Sequence, residues 1–246
     1  METLKNNKSG NGITFEVPCL NEEANIIKTI NTILEAAHEV GVSYEIIIID
    51  DNSSDRTVAV IEDYQYKNPT VPIKLKKNTV RRGLGHNYVE GAFMGEKRYY
   101  MTVFGDNSEP KETIKLIIEE MGKADMIIPY FGKNESRCML RRIISKTFVV
   151  LVNLLAGNKL KYYNGPVLHK RYNVMRWHSD ALGYAYQAEI ITRLLIKGTT
   201  YIEVEVSNYD RESGVSKAFN LQNYLSVTHS LVQIYFRRIR WLFFKV

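Results

Sequence analysis

Six acidic side chains sit where short apolar runs end: Glu22 and Glu23 after residues 13–20, Asp50, Asp51 and Asp55 after 44–49, and Asp106 after 99–104. Acids gathered in one place repel unless hydrogen-bond donors or a cation lie among them. A hard divalent ion suits such a place, because it prefers oxygen and often takes only one or two carboxylates beside phosphate oxygens. Any one of these turns is equally served by ordinary capping chemistry, as Ser53, Ser54 and Asp55 ahead of a helix near residue 57 illustrate. Three in succession point beyond capping, to Mg²⁺ or Mn²⁺ held together with a substrate diphosphate.

The elements that must position these acids alternate. Residues 13–20 (ITFEVPCL) read as a strand, and 25–39 as a helix with Ile26, Ile30, Ile33 and Ala37 on one face. The run YEIIII at 44–49 is apolar without alternation, as in a strand buried on both faces of a parallel sheet. A helix at 57–66, a weaker strand at 73–77, a helix near 87–96, a strand at 99–104, a helix near 111–121 and a strand at 126–129 continue the rhythm. Such a pattern predicts a doubly wound α/β sheet with its ligand at the carboxyl ends of the strands. The second half departs from it, with a helix at 140–155, a short strand at 167–170, a helix at 188–196, a strand at 201–206 and a helical stretch at 220–246.

Charge is segregated. Of 33 Lys and Arg, nine lie in residues 137–176 and five in 213–246, two segments without a single acid; the remainder holds 19 cations against 27 acids, or −8, inside a chain whose total is +6. The 246 residues, 45% hydrophobic and 24% charged, exclude a disordered or collagen-like chain and suffice for one large domain. Two cysteines and five scattered histidines exclude a disulfide framework and argue against a His/Cys metal cluster. Residues 1–12 are polar and read as a flexible N-terminus without a signal peptide. No apolar run reaches the roughly 18 residues of a membrane span, so contact with a membrane is expected from its surface. The Gly-rich segment RRGLGHNYVEGA does not make a dinucleotide fingerprint, since Tyr88 occupies the third glycine's place and the segment does not follow the first strand. It reads as a tight turn into a helix, with Gly91 allowing close packing.

The ordered set VPCLNEEANI, IIIIDDNSSDRT, FGDNSEPKE, LRRIISK, GYAYQAEI and YDRESGVSK resembles the family 2 glycosyltransferases. It is most similar to polyprenyl-phosphate sugar transferases of the dolichol-phosphate mannosyltransferase type, over about residues 13–217. The resemblance implies a glycosyltransferase type A fold, Rossmann-like, in one domain at 13–218: a nucleotide-sugar half at 13–130 and an acceptor half at 131–218. It implies donor contacts from Pro18, Leu20, Glu22, Ile49 and Asp51, a metal ligand and catalytic role at Asp106 beside Gly105, and a lipid-phosphate site at Arg141 and Ser145 with help from Arg137. It further implies a clamp on the donor diphosphate from Arg211 and Lys217. The sequence departs from the family's two-acid metal motif, because Phe104 stands where the first acid belongs.

Arg141 and Ser145 would share a helix face one turn apart, and basic residues at a helix start argue for an anionic partner. A merely solvated face is the alternative. Glu189 is a general base if the acceptor is a hydroxyl, or a helix-start acid that orients its neighbours if the acceptor is an already ionised phosphate. Residues 219–246, ending YFRRIRWLFFKV, read as an amphipathic tail in which Trp241, Phe243 and Phe244 beside Arg237, Arg238, Arg240 and Lys245 suit a membrane interface; core or partner contact is the alternative. No nucleic-acid motif is present, and the acidic first half opposes that partner. The expected activity is hexosyl transfer with inversion from a guanosine or uridine type nucleotide sugar to a polyprenyl phosphate at a cytoplasmic membrane face. Transfer to a saccharide or protein hydroxyl, and a nucleotide-sugar-binding relative without catalysis, stand as alternatives. A small membrane-protein partner or a homo-oligomer is compatible with each.

Overall fold

The structure is a computed structural model that describes residues 12–132, 139–177, 183, 185–207 and 221–245. The strands are β1 (Ile13–Cys19), β2 (Tyr44–Asp50), β3 (Ile73–Lys77), β4 (Tyr99–Thr102), β5 (Met126–Phe131), β6 (Leu168–Lys170) and β7 (Tyr201–Val206). Between and after them run α1 (Ile26–Val40), α2 (Thr57–Lys67), α3 (Leu84–Met94), α4 (Lys111–Glu119), α5 (Met139–Ala156), α6 (Arg171–Arg176), α7 (Tyr186–Ile196) and α8 (Leu221–Phe244). They form one sheet in the order β3-β2-β1-β4-β6-β5-β7. Every pairing is parallel except those of β6, which runs antiparallel to β4 and β5. The expected mostly parallel sheet flanked by helices is thus observed. The short helix α6, too brief to leave a periodic pattern, is an addition.

The sheet separates two cores. On one side Ile13, Phe15, Val17 and Cys19 of β1 meet Ile26, Ile30 and Ile33 of α1 and Ile114 and Ile117 of α4, all buried. Each fully buried isoleucine contributes about 1.5–3 kcal/mol relative to exposure, which is why α1 and α4 lie flat on this face. On the other side Tyr88 of α3, Tyr100, Met126, Ile128, Val152 of α5, and Tyr186, Ile190 and Leu194 of α7 make the second core, with Ile234 of α8 closing it.

The alternate residues of β1 are polar on that second side. Thr14 donates to Glu45 at 2.7 Å, and the Thr102 hydroxyl donates to Glu16 at 2.6 Å. Burial pushes the Glu16 carboxyl up to about 8 despite that bond, so it is neutral at pH 7. Helix α3 crosses over these residues through glycines. A Cβ on Gly91 would stand 2.6 Å from the Tyr100 hydroxyl and 2.7 Å from Cγ of Glu16, and one on Gly95 2.8 Å from the Thr14 hydroxyl. The packing role expected of Gly91 is therefore the one observed. Gly91→Ala is expected to lower stability by about 1–3 kcal/mol in urea unfolding, because the overlap outweighs alanine's gain of about 1 kcal/mol in helix propensity; an unchanged midpoint would refute this account of the α3–β1 contact.

Candidate functional site

The chain runs β1, β2, β3 outward in one direction and then crosses to β4 on the far side of β1. The connections leave β1 and β4 in opposite directions, which opens a crevice at their carboxyl ends. The three acid-bearing turns meet here, and each contains an asparagine in the left-handed region: Asn21 (φ 58°), Asn52 (φ 67°) and Asn107 (φ 54°). Asparagine tolerates this conformation better than other side chains with a Cβ, so the chain can reverse sharply at all three strand ends.

The first two turns are stitched together. The Asn21 N–H donates to the Ser53 hydroxyl at 2.8 Å, and the Ser54 N–H returns to Oδ1 of Asn21 at 2.8 Å. The Glu22 N–H donates to the Thr57 hydroxyl at 2.8 Å, the Glu23 N–H to Asp55 at 3.2 Å, and the Arg56 N–H to Glu23 at 2.9 Å. Burial raises the Asp55 carboxyl, but the Thr57 hydroxyl and N–H and the Glu23 N–H outweigh it and hold Asp55 below the usual carboxylate range. Glu23 and Asp55 therefore act as cross-braces, the capping alternative, while Glu22 bonds the Asn25 amide at 3.1 Å.

Asp51 braces the Gly-rich segment. It accepts the Asn78 amide at 3.0 Å, the Arg82 N–H at 2.8 Å and the Gly83 N–H at 3.0 Å. Burial pushes its carboxyl up, but these donors prevail and keep it low, hence ionised at neutral pH. Gly83, at φ 87°, allows the turn that presents its N–H. Pro18 and Ile49 are register partners on β1 and β2, and Asp51 follows Ile49 by two residues, so the three share the α3 side of the crevice. Leu20 and Glu22 continue from the end of β1.

Asp106 sits half-buried across β1 from Asp51. Its turn rests on β1: the Gly105 N–H donates to the Pro18 carbonyl at 3.2 Å, and a Cβ on Gly105 would come within 3.0 Å of Cβ of Cys19. Oδ1 of Asp106 accepts the Ser108 N–H at 3.2 Å. Behind it Glu109 is enclosed; burial and then the Asp106 charge push its carboxyl up to about 8. The donor set is all oxygen, which fits a hard cation. Among the described residues no group of three or more His, Cys, Asp or Glu could hold a metal ion by themselves, so such a cation would complete its shell with oxygens from a ligand such as a diphosphate.

The other expected residues lie on different elements. Arg141 and Ser145 share the half-buried face of α5 with Val152 and Ala156, whereas Met139, Leu140, Ile143, Val150 and Leu154 form an exposed apolar stripe on the opposite face. Glu189 is buried in the first turn of α7 and accepts Nη2 of Arg237 at 2.9 Å. Arg237 thus turns inward, contrary to its expected place among the surface cations of the tail, because a buried carboxylate requires a countercharge. Arg238 packs against Gly157 just beyond α5. Arg137, Arg211 and Lys217 lie outside the described residues.

A family model described as glycosyl transferase family 2 matches residues 14–180. The chain belongs to this family. Among relatives, it is 21% identical over 227 residues to an undecaprenyl-phosphate 4-deoxy-4-formamido-L-arabinose transferase of Edwardsiella ictaluri, covering 89% of this chain and 66% of the relative. It is 26% identical over 216 residues to a polyprenol monophosphomannose synthase of Mycolicibacterium smegmatis, covering 82% and 78%. The chain spans 66% of that arabinose transferase and 62% of its counterpart from Pectobacterium carotovorum. Two solved structures share the fold. One is a glucosyl-3-phosphoglycerate synthase of Mycobacterium tuberculosis with Mn²⁺, uridine diphosphate and glucosyl-3-phosphoglycerate, at TM-score 0.69 and 14% identity, covering 94% of this chain and 81% of that one. The other is a Pyrobaculum calidifontis mannosyltransferase with GDP-Man and Mn²⁺, at TM-score 0.67 and 18% identity, covering 93% and 64%. The fold is the expected glycosyltransferase type A. In this family 2 chain the sequence motifs do not reveal Asn78 and Gly83 as donors to Asp51; the one signal for them is their position in and just before the Gly-rich turn.

Asp51→Asn is expected to cost about 1–3 kcal/mol at pH 7, since it opposes an amide donor to N–H groups. The folded-state pKa of Asp51 is depressed, so its contribution exists above the ordinary carboxylate value of about 4 and fades as pH falls through the lower folded value. The stability gap between variant and wild type, followed by urea unfolding, should therefore narrow below pH 4.

Proposed function

We propose that the protein transfers a glycosyl unit from a nucleotide diphosphate sugar to a polyprenyl phosphate at a membrane surface. The observation that carries this reading is the placement of Asp51 and Asp106 on either side of the β1 end, at the crevice of a family 2 fold. Pro18, Leu20, Glu22, Ile49 and Asp51 would hold the nucleoside end of the donor, and Asp106, next to Gly105, would hold Mg²⁺ or Mn²⁺. The cation would supply charge neutralisation at the departing diphosphate. Arg211 and Lys217 would add to it. An oxygen of the lipid phosphate attacks the anomeric carbon from the face opposite the leaving group, the bond to the diphosphate breaks, and configuration inverts. Arg141 and Ser145 would orient the attacking phosphate.

Glu189 favours the phosphate acceptor over a hydroxyl. Its side chain is enclosed and bonded to Arg237 of the last helix, which suits a residue that orients its neighbours, and a phosphate acceptor needs no base. The outward apolar stripe of α5, together with Phe236, Leu242, Phe243 and Phe244 on α8, supports contact with a bilayer, and exposed Arg240 and Lys245 suit anionic headgroups. No described helix is long and apolar enough to cross a membrane.

A donor present at about 100 times its Kd adds about 2.7 kcal/mol, so guanosine or uridine diphosphate sugars with Mn²⁺ should raise the Tm by roughly 5–10 °C; no response to either class would sink the proposal. Arg141→Ala is expected to raise the acceptor KM at least tenfold, an order-of-magnitude loss for one charge-assisted contact, while donor binding stays level. Loss of donor affinity alone would contradict that assignment. Near-complete loss of turnover in Glu189→Gln would instead favour the hydroxyl acceptor.

A further inference from the structure

Phe104 brings no charge to the turn that presents Asp106, so the carboxylate's aim depends on how the backbone of residues 104–109 is anchored. On the β1 side the anchors are the Gly105 bond to Pro18 and two α1 hydroxyls. Thr29 donates to the Phe104 carbonyl at 3.3 Å, and Thr32 to Oδ1 of Asn107 at 3.1 Å. Across the turn from these, the Glu109 side chain is an anchor. Oε2 of Glu109 accepts the Phe104 N–H at 3.2 Å, and Oε1 accepts the Ser108 hydroxyl at 3.2 Å. Ser108 is thereby bracketed between two acidic side chains, its hydroxyl on Glu109 and its N–H on Asp106 at 3.2 Å.

We infer that Glu109 is a positioning residue for the cation at Asp106, closing the turn from Phe104 to Ser108 so that the one half-exposed acid in it keeps its direction. The inference rests on the proposed cation site and goes beyond it by naming what fixes that site. Glu109 itself is 9% exposed and bonded through both oxygens within the turn, which suits a brace rather than a ligand. Outer partners of metal ligands typically account for 10- to 100-fold in metal affinity when removed. Gln at this position keeps the reach, with its carbonyl accepting the Phe104 N–H and its amide donating to Ser108; Ala removes both contacts.

The test is Mn²⁺ affinity by electron paramagnetic resonance on the full chain, with guanosine or uridine diphosphate, whichever raises the Tm, and with melting curves taken without metal. Glu109→Ala should bind Mn²⁺ at least tenfold more weakly at a near wild-type Tm, and Glu109→Gln should stay within about threefold of wild type. Unchanged affinity in Glu109→Ala overturns the inference. So does a Glu109→Gln variant as weak as the alanine variant, because glutamine keeps both contacts and those contacts would then not be what holds the turn. Should Glu109→Ala fail to fold, Ser108→Ala removes one contact alone and should weaken Mn²⁺ by roughly three- to tenfold, with no change counting against the inference. A wild-type protein that binds no Mn²⁺ with either nucleotide removes the cation site and this inference together, an outcome distinct from a wild type that binds and a variant that binds as well.

Discussion

The constraint on which the site depends is electrostatic. A parallel sheet collects the turns from several strand ends at one edge, and here those turns are rich in acids that leave bulk water in part and need hydrogen-bond donors. Donors from the same or a neighbouring turn hold them: Asp55 is held by Thr57 and Glu23, Asp51 by Asn78, Arg82 and Gly83, and Asp106 by Ser108. A hydrogen bond to a charged group contributes roughly 1.5–3 kcal/mol, enough to offset partial burial. The same bonds fix the turns relative to one another, so charge satisfaction and site geometry have one cause.

That solution gives the acids different partners. Glu23 and Asp55 spend their oxygens joining the first turn to the second, Asp51 spends its own on the Gly-rich segment, and Asp106 accepts a bond within its own turn. The left-handed asparagines and the close seat of Gly105 against β1 allow the backbone to turn tightly enough for this. The packing below is equally specific. Glycines 91 and 95 let α3 descend onto Thr14 and Glu16, so a polar seam lies under α3 beside the second hydrophobic core.

The second half of the chain follows a different logic, since its basic residues divide between faces. Arg141 and Ser145 lie on the half-buried side of α5, away from its apolar stripe, and Arg237 is spent on Glu189. The last helix is consequently tied to α7 by an ion pair and to the end of α5 by Arg238, while its outward face remains aromatic and apolar. Positive charge that composition shows as one excess serves internal pairing at Arg237 and lies exposed at Arg240 and Lys245.

The sequence by itself determined the alternation of strands and helices, because apolar period and run length report burial directly. The doubly buried YEIIII strand, the amphipathic α1 and the acids at strand ends were all legible for that reason, and the ordered motifs were enough to suggest the family. Tertiary structure alone decided which segment each acid braces. Glu23 and Asp51 look alike in sequence, and only the approach of the second turn or of the Gly-rich turn distinguishes them. It likewise decided that Arg237 turns inward to a carboxylate 48 residues away in the chain, and that Glu109 closes the turn of Asp106. Periodicity records how far each residue is from water, but a partner is chosen by distances in space that no local pattern encodes.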